Sequence, residues 1–115
     1  MSVVMQKSYR FAIRIVKLYK YLCNEHKEFV LSKQLLRSGT AIGALLREAQ
    51  FAQSKADFVN KNSIALKEAN ETDYWIDLLY DTHYLNQKMY DDIKKDIQEL
   101  ISLLVTIVKS SKENQ

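Results

Sequence analysis

The chain contains no proline and only two glycines, Gly39 and Gly43. β-Strands need frequent turns, and turns lean on both residues, so the shortage argues for long helices joined by a few short loops. Cysteine is nearly as scarce. Cys23 stands alone, which excludes an internal disulfide and leaves no partner for a cysteine-based metal motif. A lone thiol fits a reducing, cytoplasmic compartment. Long apolar runs are also missing: the opening MSVVMQKSYRF lacks the continuous hydrophobic core of a signal peptide, and no window approaches the roughly 20 residues of a membrane span. The expectation is one soluble intracellular domain over residues 1–115, with no membrane contact and a size sufficient for a real core.

Charge is present and unevenly spread. Residues 1–67 carry 12 Lys/Arg against 4 Asp/Glu, a balance of +8, whereas residues 68–115 carry 5 against 10, a balance of −5. Such halves suit an anionic polymer on one side, or attraction between helices or subunits.

Apolar periodicity predicts four helices. The first runs from about Ser2 to Lys27, with Val4, Phe11, Ile15, Leu18, Tyr19 and Leu22 on one side and Lys7, Arg10, Arg14, Lys17 and Lys20 on the other. The second is expected to start at an N-cap Ser32 and continue to about Ala52 through Leu35, Leu36, Ile42, Leu45, Leu46 and Ala49. Ser54-Lys55-Ala56-Asp57 resembles a capping box and opens the third, which carries Phe58, Ala65, Ala69, Thr72, Ile76 and Leu79 and ends near Tyr84. The fourth opens at Asn86, with Leu85 and Tyr90 spaced as a hydrophobic staple, and runs to about Lys109 before a SSKENQ tail expected to fray. Short loops between four helices give an all-α, antiparallel up-down-up-down four-helix bundle.

Apolar residues of the fourth helix, from Ile93 to Val108, spread over an arc of about 200°, wider than the stripe one bundle core requires. Either this helix lies deep in its own bundle or the surplus is buried against another subunit. Self-association is the expectation.

The segment KEANETDYW (67–75) holds the most conspicuous carboxylates. Lys61, Ile64, Glu68, Glu71, Trp75 and Leu78 share one line of the third helix, so Glu68 and Glu71 are neighbours at the edge of an apolar face. A close carboxylate pair could split its pKa values for acid–base work. Metal binding in a bundle core uses Glu-x-x-His, and the residues three before His26 and His83 are Cys23 and Tyr80, so no metal or other cofactor is expected. The simpler reading pairs Glu68 and Glu71 with Arg37, Arg47, Lys61 or a neighbouring subunit, as charges near a core must be paired. Cys23 and His26 read as a small hydrophobe and a polar helix end rather than a nucleophilic dyad. Gly39 and Gly43 mark close helix packing. An enzyme with a small-molecule substrate is a poor fit.

The row Lys7, Arg10, Arg14, Lys17 and Lys20, with Tyr9 and Tyr21 around it, is suited to neutralising phosphates and stacking on bases. The same row could instead be a solvated face, or one that meets the acidic half of a neighbour.

Three stretches, RIVKLYKYL (14–22), LSKQLLRSGTAIGALLREA (31–49) and QSKADFVNKNSIALKEANETDYWIDLL (53–79), resemble the bacterial 23S rRNA-intervening sequence proteins over about residues 8 to 85. The pattern Asp57-Phe58, Lys61, Ile64-Ala65, Lys67-Glu68-Ala69, Glu71-Thr72, Tyr74-Trp75 carries most of the specificity. The resemblance implies an antiparallel four-helix bundle assembled as a homopentamer. A related branch, the accessory variability proteins of diversity-generating retroelements, implies basic pentameric barrels that bind a reverse transcriptase and nucleic acid. Leu45 departs from the family, which commonly has Asn there. If that Asn belongs to a polar cluster, the members remaining in this chain are Arg37, Glu48, Lys61, Glu68 and Glu71. The functional expectation is a non-enzymatic oligomer that binds structured RNA or a nucleoprotein partner through Lys7, Arg10, Arg14, Lys17 and Lys20. The alternative is a protein–protein assembly module without a nucleic-acid role.

Overall fold

The computed structural model describes residues 2–113 and contains helices α1 (Val3–His26), α2 (Leu31–Gln50), α3 (Lys55–Asp81) and α4 (Gln87–Glu113). Three of them begin where a short polar side chain takes up a free N–H group. Ser2 Oγ accepts from Met5 N–H at 3.3 Å, Ser54 Oγ from Asp57 N–H at 3.0 Å, and Asn86 Oδ1 from Met89 N–H at 2.9 Å. Asp57 reaches back to accept from Gln53 N–H, one residue before the Ser54 cap.

α2 departs from expectation. Ser32 is not its N-cap, because the helix has already begun at Leu31. The Glu28 carboxylate accepts from the N–H groups of Val30, Leu31 and Ser32 at 3.2, 3.1 and 2.7 Å, while the Ser32 hydroxyl donates to the Glu28 carbonyl. Two carboxylate oxygens serve three donors and place negative charge at the positive end of the helix dipole, which one hydroxyl cannot match. Lys27, at φ 53°, turns the chain out of α1, and Glu28 N–H closes on the Leu22 carbonyl at 3.1 Å. The far end of α4 also differs. The helix continues past Lys109 to Glu113, because Ser111 extends the buried row Leu100, Leu104, Val108 and nothing between Lys109 and Glu113 breaks a helix. Asn114 and Gln115 of the expected frayed tail lie outside the described residues. α3 stops at Asp81, where His83 at φ 71° turns the chain and Tyr84 N–H bonds the Leu79 carbonyl.

α1 packs on α2, α2 on α3 and α3 on α4, and α4 closes the ring on α1 through the sparsest of the four seams. The cross-helix partners run in opposite order along every pair: Ile15 and Ser8 meet Gly39 and Gly43, Arg37 and Glu48 meet Glu68 and Lys61, Asp73 and Asp77 meet Lys94 and Tyr90. All neighbours are therefore antiparallel, the up-down-up-down bundle that the sequence predicts. Its centre is filled by Phe11, Ile15, Leu22, Leu35, Ile42, Ile76, Leu79, Ile97, Leu100 and Leu104. α3 contributes Ala65, Ala69 and Thr72 to this interior, small residues that let it approach closely. At its start Val59, not Phe58, points inward. Among the described residues, the α1–α2 seam closes without a charge pair. A Cβ added at Gly39 would lie 2.9 Å from both γ carbons of Ile15, whereas one at Gly43 would lie 3.4 Å from Ser8 Oγ.

The apolar surplus of α4 is largely taken up inside the bundle. Leu103 lies one heptad beyond Asp96, which faces α1, and Ile101 one heptad beyond Lys94, which faces α3. Ile101, Leu103 and Ile107 pack against the core, leaving Val105 exposed. Other exposed apolar side chains are spread over α1 (Val3, Tyr9 and Ile13), the two loops flanking α2 (Phe29, Val30 and Phe51) and α3 (Tyr74).

Candidate nucleic-acid interface

The basic row of α1 flanks the buried stripe of Phe11, Ile15 and Leu18 on the side of α4: Lys7 and Arg14 stand one turn before Phe11 and Leu18, and Arg10, Lys17 and Lys20 lie farther round the helix. The structure divides its five cations. Lys7 Nζ lies 2.5 Å from Glu99 Oε1, and Arg14 donates to Asp96, both on α4. Arg10, Lys17 and Lys20 are exposed and, among the described residues, have no ion-pair partner. Side chains of the two α1–α4 pairs are 28–45% exposed, so each pair contributes only about 0–1 kcal/mol.

A groove of about 230 Å³ follows this seam, floored by Phe11 and Leu100, with Lys7, Arg10 and Arg14 on one wall and Asp96 and Glu99 on the other. A second hollow continues it past Arg14 and Lys17 to Asp92 and Met89. The two tyrosines differ. Tyr9 is exposed, whereas the Tyr21 ring meets His26 edge-on at 5.3 Å with its hydroxyl 3.1 Å from Nε2. Tyr9 lines the hollow between α1 and α2, on the side of α1 away from the groove.

The five polar residues of the second and third helices form two contacts, not one cluster. Arg37 donates to Glu68 at 2.8 Å and to Glu71, and the Trp75 indole N–H donates to Glu71 at 3.0 Å. The Trp75 donor, joined by Arg37 against some burial, holds the Glu71 carboxyl below its ordinary pKa. Lys61 pairs separately with Glu48 at 3.0 Å, about 10.5 Å along α3 from Glu68. Arg47, also considered for Glu68 and Glu71, instead borders a hollow between α1 and α2. Cys23 Sγ lies 3.9 Å from Ser32 Oγ, while His26 meets Tyr21 and Tyr84, so the two do not form a dyad. Among the described residues, no three His, Cys, Asp or Glu side chains converge as metal ligands, and no helix is long and apolar enough to cross a membrane.

Sequence reasoning passed over a third polar contact. Lys94 Nζ donates to Asp73 at 2.6 Å and to Asp77 at 3.0 Å, and Asp77 also accepts from the Tyr90 hydroxyl at 2.8 Å. Burial opposes the Lys94 charge, but Asp73 and Asp77 outweigh it and raise the ammonium pKa. Its signal was the i, i+4 spacing of both Asp73/Asp77 and Tyr90/Lys94, one pair on each of two adjacent helices. Three seams thus carry ion pairs across them, and the fourth carries glycines.

The family model described as 23S rRNA-intervening sequence protein matches residues 2–106. A crystal structure of a protein of unknown function from the S23 ribosomal protein family of Bacteroides thetaiotaomicron is 60% identical, covers 93% of this chain and 99% of its own, and superposes with a TM-score of 0.92. No curated protein matches the chain.

Proposed function

The chain belongs to the 23S rRNA-intervening sequence protein family, and from that premise we propose that it is a non-enzymatic, self-associating four-helix bundle that binds structured RNA, free or within a nucleoprotein, through the outer face of α1. The observation that carries this reading is the exposed trio Arg10, Lys17 and Lys20 on one row, without an ion-pair partner among the described residues. Lys7 and Arg14 border the trio but are already matched by carboxylates. Three available cations correspond to a slope of log K against log salt of roughly −2 to −3, at about 0.7–0.9 per phosphate neutralised. The test is fluorescence anisotropy of a labelled ribosomal RNA fragment at several salt concentrations. Wild type binds with that slope, and Arg10→Glu/Lys17→Glu/Lys20→Glu, still helical by circular dichroism, does not bind. Equal binding by both proteins would refute the assignment.

Self-association is supported by a different surface. A hollow of about 360 Å³ between α1 and α2 is lined mainly by Met5, Tyr9, Ala12, Gly43 and Ala44, with Arg47 and Glu48 at its edge, and Ile13 is exposed on the same helix. Apolar ground of this kind marks interaction sites. The family resemblance implies a pentamer, and native mass spectrometry gives the subunit number directly. This surface also supports the second reading, a protein assembly module with no nucleic-acid role, which the salt titration separates from the first. The free Cys23 suits a reducing, cytoplasmic setting.

A further inference from the structure

Two carboxylates of α4 sit on the seam beside the RNA-binding row. We propose that Asp96 and Glu99 act as built-in competitors for phosphate, holding Arg14 and Lys7 out of the interface and limiting the row to three contacts. The inference rests on the reading of α1 as an RNA-binding face and specifies how strongly that face binds.

Glu99 lies against Lys7 and Asp96 against Arg14, on the opposite wall of the groove that Arg10 also lines. The ion pairs are exposed and weak enough to exchange for phosphate. Exchange does not remove the carboxylates, however. They are fixed on α4 by Ile97 and Leu100, both buried in the core, so a phosphate reaching Lys7 or Arg14 meets a like charge at contact range. Arg10, Lys17 and Lys20 have no carboxylate paired with them among the described residues. The cations of α1 therefore differ in availability although their side chains form one row.

The obvious objection is that neutralising acids raises affinity for RNA through net charge alone. A matched control answers it: Asp81→Asn/Glu113→Gln removes the same two charges at exposed positions remote from the groove. Fluorescence anisotropy with the labelled ribosomal RNA fragment compares wild type, Asp96→Asn/Glu99→Gln and this control from low to physiological salt. The account expects the groove variant to bind at least tenfold more tightly than wild type near 0.1 M salt. Its slope of log K against log salt should be steeper by roughly 1.4–1.8, from two added contacts at about 0.7–0.9 each, with the control close to wild type. Binding by all three proteins with one common slope would overturn the competitor role and leave the RNA-binding reading intact. Absence of binding by all three at low salt would overturn both.

Discussion

Gly39 and Gly43 are chemically identical, four residues apart on one helix, and should respond oppositely to the same substitution. In a helix interior, Gly→Ala is favourable by about 0.8–1 kcal/mol, because alanine has less backbone entropy to lose. At Gly43 the new Cβ sits 3.4 Å from Ser8 Oγ, ordinary contact, so most of that gain should appear. At Gly39 it would sit 2.9 Å from both Cγ1 and Cγ2 of Ile15, a fully buried residue. Both γ carbons branch from one Cβ, so turning χ1 replaces one clash with the other. Relief requires α1 and α2 to separate, and overpacking of this kind costs about 1–3 kcal/mol. Set against the propensity gain, this leaves a net loss of about 1 kcal/mol, at most about 2 kcal/mol, for Gly39→Ala and a gain of about 0.5–1 kcal/mol for Gly43→Ala, a difference of roughly 2 kcal/mol. Urea unfolding monitored by circular dichroism reads both. In a double-mutant cycle, Ile15→Ala should remove the Gly39→Ala penalty, whereas Ile15→Val, which keeps both γ carbons, should not. Gly39→Ala at or above wild-type stability would show that the seam is not closed as described.

Glu28→Gln should lower stability by about 1 kcal/mol at neutral pH through the weakened α2 cap. Burial favours protonation of Glu28, but the Ser32, Leu31 and Val30 N–H groups outweigh it and depress its pKa. The advantage of wild type is therefore present above the ordinary glutamate value and lost as pH falls through the lower folded value, so the two midpoints should converge in acid. Lys94→Met removes the cation shared by Asp73 and Asp77, which are part-exposed, and should cost about 1 kcal/mol at neutral pH by thermal unfolding. Because the folded-state pKa of Lys94 is raised, its contribution is complete below the ordinary lysine value and lost only at alkaline pH. Arg37→Ala should cost no more than about 1 kcal/mol, because the Arg37 side chain is half exposed. It should nevertheless alter the emission of Trp75, the chain's one tryptophan, through Glu71.

Helix number, orientation and the central residues were legible because apolar spacing at 3.6 residues is set by burial on one side. Phe11, Ile15, Ile76, Leu79, Ile97 and Leu104 all lie where that spacing puts them. Boundaries were less legible when a cap came from outside the usual motif. Ser32 carries the statistical signature of an N-cap, yet Glu28 reaches forward from the preceding loop and does the work. The width of the α4 apolar arc was visible, but not its meaning, since a helix flanked by two seams packs side residues such as Ile101 and Leu103 as well as central ones. At the candidate site, the row of cations could be read from one helix, whereas the pairing of Lys7 and Arg14 depends on α4, more than 80 residues away in sequence. Charge totals announced a basic and an acidic half. Which members meet is a matter of register between helices.

Lysine footprinting by acetylation and mass spectrometry, with and without the ribosomal RNA fragment, tests the central claim on the unmodified protein. The account predicts that RNA shields Lys17 and Lys20 while Lys33, Lys55 and Lys109, also exposed but on other helices, react unchanged. Protection spread evenly over all five lysines, or absent from Lys17 and Lys20, would contradict α1 as the RNA-binding face.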